Sequence, residues 1–403
     1  MAFVDPLAAL VVSFCFLGVM IYKRVNLAIT LNLTALLLAL LSLDWEGIPT
    51  TIYKTSVDLG TISVVFASFG IMVMSQLYKE TRVINDLSES LSRIIKNSKL
   101  VVSVLPAIVG LLPVAGGALM SAPLVEAEAE KLGLKAEKKT YVNVWFRHTI
   151  FPVYPISQFL ILTATLTGLT LTSIIVRQIP IVASMIITGY LIGLWKTTSE
   201  GRTKGNSKTN LSSELKRFAI TFSPILATIV AVVGLGVDVA IAAFLGVAVL
   251  VLIAKPSFEV VKKPFRNWAT YGIPLAAFGA FFLRSVVDAT ELSEIFAVFV
   301  ANGGVDDLLL LISVPAVLAF LVGSPLGGVA ISYSILEGIV NFTAQSAALL
   351  YISSYFGYIV APTHLCLVLT ADYFKCSLGK IYKYFIPSLL ISFATAILLY
   401  FLV

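Results

Sequence analysis

GGALMSAPLVE (Gly116 to Glu126) returns half a chain later as GGVAISYSILE (Gly327 to Glu337), with the glycine pair, Ser121/Ser332 and Glu126/Glu337 at the same spacing. Behind each comes a second shared stretch, PISQFLILTA (Pro155 to Ala164) and PTHLCLVLTA (Pro362 to Ala371). Two unlike motifs repeated in the same order do not follow from shared apolar composition. They divide the chain into two structural repeats, and internal repeats in a polytopic membrane protein are the sequence mark of a secondary transporter.

Composition sets the class. Hydrophobic residues make up 58% of the 403 residues and charged ones 12%, a balance that a soluble core of this length does not carry. The net charge of +6 does not call for a nucleic-acid partner, because the basic residues sit in short loops between apolar runs, where they set orientation in the bilayer. Cys15, Cys366 and Cys376 are too scattered for a disulfide framework or a metal cluster and read as packing residues. The N-terminus lacks a basic leader and carries Asp5, so its apolar run reads as a first span rather than a secretory signal.

Apolar stretches long enough to cross the hydrocarbon core fall at 6–22, 27–43, 60–77, 141–168, 172–194, 216–233, 237–254, 268–286, 346–372 and 384–403, about ten crossings. Two others, 100–130 and 307–342, are broken at their centres by LLPVAGG (Leu111 to Gly117) and VGSPLGG (Val322 to Gly328). Pro/Gly clusters interrupt the helical ladder, so each reads as a re-entrant hairpin; a pair of kinked spans is the alternative. With the first hairpin open to the cytoplasm and the second to the outside, 24 of the 28 Lys and Arg fall in cytoplasmic segments. The exceptions are Lys54, Arg147, Arg177 and Arg284. The expected fold is therefore an all-α polytopic membrane protein of two inverted-topology repeats, residues 1–195 and 216–403, in the cell membrane with both termini outside. Residues 196–215 form a polar cytoplasmic linker. Segment 78–99 has helical apolar periodicity and lies along the inner surface, with an outer equivalent around 287–302.

The hairpins LLPVAGGALMSAP and GSPLGGVAIS, each followed by a proline-interrupted span (NVWFRHTIFPVYP and YIVAPTHLC), resemble a prokaryotic integral membrane family known as domain of unknown function 401. The resemblance covers essentially the whole chain and is specific at the hairpins. It places the chain in the ion transporter superfamily, beside dicarboxylate symporters, gluconate and lactate permeases, arsenite exporters and sodium/proton antiporters. What it implies is a scaffold domain, a transport domain with two opposed hairpins, homodimers and elevator-like alternating access. The hairpin tips lack the Ser-Asn-Thr signature of the dicarboxylate symporters, so dicarboxylate specificity does not carry over.

The residues also argue for themselves. A helix starting after Gly116-Gly117, and another after Gly327-Gly328, would aim unpaired N–H groups and a positive dipole end into the protein. Breaks at Pro152/Pro155 and Pro362 would free further amides and carbonyls. Anions suit the first kind of group and small cations the second. Ser121/Ser332 and Thr163/Thr370 supply hydroxyls, which can instead back-bond to their own helices. His364, two positions past Pro362, would titrate in the physiological range or else bond freed backbone. Arg147 and His148 lie roughly 9 Å inward along a helix; Arg147 either meets an anionic substrate or snorkels. Glu126, Glu337 and Asp372 are further charged candidates nearer the interface.

The function expected is cation-coupled transport of a small organic anion, with sodium or a proton as coupling ion and no metal or other cofactor. A sodium/proton antiporter is the alternative. An intramembrane enzyme finds no HExxH or GxSxG in the chain, and a receptor subunit has no need of two opposed hairpins.

Overall fold

The computed structural model describes residues 4–112, 117–197, 210–290 and 306–402. It is helical throughout, with no strand among the described residues. Among the described residues, seven helical segments, two of them interrupted, are long and apolar enough to cross a membrane: Leu59–Glu80, Ala136–Thr167, Leu171–Leu194, Leu211–Gly234, Ala269–Ala289, Ala344–Tyr373 and Leu378–Leu402. Helices pair most backbone groups internally, as hydrocarbon demands.

One group of helices is built from α1 (Pro6–Tyr22), α2 (Leu27–Ser42), α3 (Gly47–Val57), α4 (Leu59–Glu80), α5 (Val83–Ile94), α11 (Leu211–Ile229), α12 (Val239–Ala254), α13 (Phe258–Arg266) and α14 (Ala269–Ala289). Their starts are chemically marked. Asp5, Asn26, Asp58, Asn210 and Asp238 each accept a backbone N–H of the first turn, contributing about 1 kcal/mol apiece. Helix α2 lies along α14, and α4 along α12 and α14. Glycines set the closest approaches. A Cβ on Gly70 would sit 3.0 Å from Ala243, and one on Gly279 would sit 2.9 Å from Leu31, so both crossings need the bare backbone. Ion pairs join α5 to α11: Arg93 with Glu214 at 2.9 Å, and Arg217 with Asp86.

The other group begins with a hairpin of α6 (Ser98–Gly110) and α7 (Ala118–Lys131), followed by α8 (Ala136–Thr149), a short 3-10 turn, α9 (Gln158–Thr167) and α10 (Leu171–Gly189). A second hairpin follows in α15 (Asp307–Val322) and α16 (Pro325–Leu336), then α17 (Ala344–Val360), α18 (Leu365–Tyr373) and α19 (Leu378–Leu402). Helix α15 packs on α17 so closely that a Cβ on Gly357 would collide with the Ala316 carbonyl. The two groups meet where α16 lies against α14 and α9 against α4.

Several expectations are refined. Both interrupted stretches are helix pairs, and both proline-interrupted spans are broken helices, α8/α9 and α17/α18. Helices α3 and α13 occupy segments read as plain loops. The expected start of the second tip helix is corrected: α16 begins at Pro325 with Ser324 as its cap, so Gly327 and Gly328 lie inside its first turn rather than ahead of it. Gly116, most of the 196–215 linker and most of the 287–302 segment lie outside the described residues.

Candidate functional site

The break between α8 and α9 and the break between α17 and α18 face each other. At the end of α8, Arg147 and His148 are each only 2% exposed. His364, wholly buried, is the cap residue of α18. The two imidazoles meet edge to face with ring centroids 4.7 Å apart, and Tyr358 lies 4.2 Å from the His364 ring. Cys366 completes the cluster: donor atoms of His148, His364 and Cys366 all lie within 4.8 Å of one another.

Three of the carbonyls at the helix breaks, expected to stand free, are taken by tyrosines. Tyr355 donates to the His148 carbonyl at 2.5 Å and Tyr351 to Phe151 at 3.1 Å. Tyr382 donates to Val360 at 2.8 Å. His148 Nδ1 reaches the Val144 carbonyl at 2.6 Å and His364 Nδ1 reaches Ile359 at 3.1 Å. A carbonyl only accepts, so each Nδ1 carries a hydrogen, and in a neutral ring that leaves the lone pair on Nε2. His364 Nε2 is buried without a partner.

Arg147 does not snorkel. Its Nη2 donates to the Leu112 carbonyl at 3.2 Å, beside the tip of the first hairpin, while Nε and Nη1 are buried and unpartnered. The tip of the second hairpin comes to the same place. Gly323 ends α15 at φ 67°, and a Cβ there would meet the Thr363 hydroxyl in the α17/α18 break. Gly323, Ser324 and Pro325 line a cavity of about 580 Å³ together with Arg147, His148, Gln158, Tyr355, Tyr358 and Cys366. Exposed Asn26, Lys79, Asn267 and Trp268 form its mouth. Its charged wall residues, among those described, are Lys79 and Arg147.

The remaining sequence candidates are placed as follows. Gly117 immediately precedes α7. Ser121 bonds the Asn143 side chain at 2.7 Å and the Ala118 carbonyl. Ser332 and Thr163 back-bond to Gly328 and Phe159, the local alternative to ligand binding. Thr370 is buried with its hydroxyl unpartnered. Gly327 and Gly328 pack against Leu27 and Ala319. Pro155 is buried in the first break, and Pro362 is exposed in the second. Glu126 accepts from Tyr373 at 2.8 Å, and Glu337 is paired with Arg284 at 2.8 Å; both stand apart from the cavity wall. Asp372 is exposed near the end of α18. Sequence reading missed Cys366, Tyr355, Tyr358 and Gln158. The signal for the first was the His-x-Cys spacing of His364 and Cys366 behind the Pro362 break.

The family model "Protein of unknown function (DUF401)" matches residues 6–403. The chain belongs to the DUF401 family. No curated protein matches it. Arg147, His148, His364 and Cys366 thus lie within the matched DUF401 region.

Proposed function

We propose that this DUF401 protein is a secondary active transporter that moves a small organic anion by alternating access, coupled to sodium or protons. The observation that carries the reading is Arg147. A guanidinium buried with two nitrogens unpaired is costly by several kcal/mol, and this one lines a cavity open at one end. An anion entering that cavity would supply the missing acceptors. A bound small carboxylate or oxyanion is small enough for the space, since ligand pockets run from about 300 Å³ upward.

Repeat architecture supports the same reading. The order α1–α10 parallels α11–α19, with α5 matched to a segment outside the described residues. Packing follows suit: α2 on α14 answers α12 on α4, and α7 near α18 answers α16 near α9. Gly279 meets Leu31 and Asn32, while Gly70 meets Ala243 and Phe244. Together with the basic loops, this favours two inverted repeats with both termini outside and the cavity mouth cytoplasmic. The group bearing the hairpins would then move against the other.

The test is uptake into proteoliposomes. Mono- and dicarboxylates, sugar acids and oxyanions are offered under imposed sodium or proton gradients. Accumulation of one of them against its own gradient is expected. Sodium-driven proton flux with no anion movement would instead establish an antiporter, and no flux of any kind would overturn transport.

A further inference from the structure

We propose that His148, His364 and Cys366 form a binding site for a thiophilic transition-metal ion of the zinc or copper(I) class. The three side chains come from opposite halves of the chain yet bring their donor atoms within 4.8 Å of one another, and all are at most 6% exposed. Tetrahedral coordination with bonds of about 2.0–2.3 Å requires the donors to draw together by about an ångström. Side chains beside two helix breaks can move that far.

Three features distinguish this cluster from an ordinary packed core. Both histidines are held through Nδ1 by backbone carbonyls, at 2.6 Å on Val144 and 3.1 Å on Ile359. That is the outer-shell arrangement that fixes a ligating imidazole's tautomer and orientation. His364 Nε2, completely buried, has no hydrogen-bond partner, and a coordinate bond would supply one. A thiolate with two imidazoles selects a soft or borderline ion and discriminates against sodium, magnesium and calcium, which prefer oxygen ligands.

Binding is balanced as follows. The Cys366 thiol releases its proton to water in the cavity, its sulfur donates to the ion, and the two Nε2 lone pairs complete three protein bonds. One thiolate and two neutral imidazoles leave a divalent ion with a net positive charge. His148, Cys366 and Arg147 also line the cavity, so water or an anion from it could take a fourth position, as in open rather than closed metal sites. The proposal rests on donor geometry and is independent of transport.

Cobalt(II) is the probe, with purified full-length protein in which Cys15 and Cys376 are replaced by serine. One equivalent per chain should produce a thiolate-to-cobalt charge-transfer band and intense tetrahedral d–d bands, abolished by stoichiometric zinc but not by excess magnesium. Cys366→Ser should remove the charge-transfer band, and His364→Gln should weaken binding at least 10-fold, the range seen for disturbed metal sites. Should Cys366→Ser misfold, zinc protection of Cys366 against maleimide in otherwise native protein reads the same site. A charge-transfer band surviving Cys366→Ser, magnesium competing as well as zinc, or a Cys366 alkylated equally with and without zinc would overturn the assignment.

Discussion

Among the described residues, the repeated acid of the second hairpin is tied to the neighbouring helix group, and that of the first hairpin is tied to its own group. At the C-terminal end of α16, Glu337 takes three bonds from Arg284 of α14, at 2.8, 3.1 and 3.2 Å, and a fourth from Tyr333 at 2.7 Å. Arg284 also stacks over the Tyr333 ring at 5.3 Å and approaches Asp288 at 3.7 Å. Glu126, the matching acid of the first hairpin, turns to Tyr373 at 2.8 Å and Lys139 at 3.8 Å, partners within its own group. Opposite it the cavity opens, with Lys79 on the wall. One sequence motif thus serves a closed contact at one end of the molecule and leaves an open one at the other. On the proposed function, that asymmetry is what alternating access would require of two repeats in a single state.

The largest effect should come from the residue both hairpins share. Arg147 bonds the carbonyl before the first tip and lines the cavity with the second. Arg147→Gln removes the charge and the guanidinium's donor fork, so charge-assisted bonds of about 1.5–3 kcal/mol each are lost to an anionic ligand. Anion affinity, read from the concentration needed for thermal stabilisation, should weaken roughly 10- to 150-fold on the same energies. Arg147→Lys should recover only part of it, because an ammonium cannot reproduce the fork. Full anion binding by Arg147→Gln would detach both tips from the ligand.

Seating of the second hairpin comes next. Glu337→Gln keeps the size but removes the charge, leaving Asp288 as the carboxylate beside Arg284, and the pair is partly buried, with side chains 31% and 19% exposed. Between the values for exposed and buried pairs, roughly 1–3 kcal/mol, the closed contact should loosen about 5- to 100-fold. A cysteine replacing Tyr333 is the reporter. Its labelling by a membrane-impermeant maleimide should rise in the Glu337→Gln background. Unchanged labelling would make the ion pair a local support and not a closure.

How much of this was legible in the sequence differs by scale. The broken helices were readable because Pro, Gly and the repeat spoke from within one segment, and so were the helix pairs at 100–130 and 307–342. Helices α3 and α13 were not, since GIPTTIYKTSV and FEVVKKPFR are too short and polar to show a spanning run. The start of α16 was misjudged by weighting Gly327-Gly328 over Ser324-Pro325, although Ser followed by Pro is itself a helix-start signal. At the site, Arg147, His148 and His364 stood out as ionisable groups inside apolar runs. Cys366 did not, because a thiol in an apolar run is chemically silent until the fold brings His148 to it. Arg284 and Glu337 were noted separately, and only packing reveals them as partners.

The hydroxyl pair distinguishes the hairpins more finely. Ser332 bonds only its own helix, at the Gly328 carbonyl, whereas Ser121 links α7 to Asn143 of α8 at 2.7 Å. Ser332→Ala should therefore cost less than Ser121→Ala, since it strands no second side chain. Ser121→Ala leaves the buried Asn143 oxygen without that donor, at about 1–3 kcal/mol. A lower melting temperature for Ser121→Ala than for Ser332→Ala is the expected result, and equal losses would mean that the two hydroxyls play one role.

The smallest effect belongs to the contact that is open. Lys79 follows Gly70 by nine residues, as Asp288 follows Gly279, and those two glycines make the matching helix crossings. Lys79 therefore stands where Asp288 flanks the closed contact, but with the opposite charge and within a flexible side chain's reach of the cavity mouth. When the mouth closes, Lys79 should pair with Glu126, the acid that matches Glu337. Both groups are solvated, Glu126 at 38% side-chain exposure, so the pair contributes only about 0.2–1 kcal/mol. Lys79→Gln and Glu126→Gln should each shift the balance of open and closed forms by less than about 5-fold, and the double variant should shift it no further than either single one. Cross-linking of cysteines at positions 79 and 126, increased when substrate is supplied, reads the approach directly. Additive shifts with no cross-link would leave the first hairpin unseated in every state, and the two halves would then differ in mechanism as well as in surroundings.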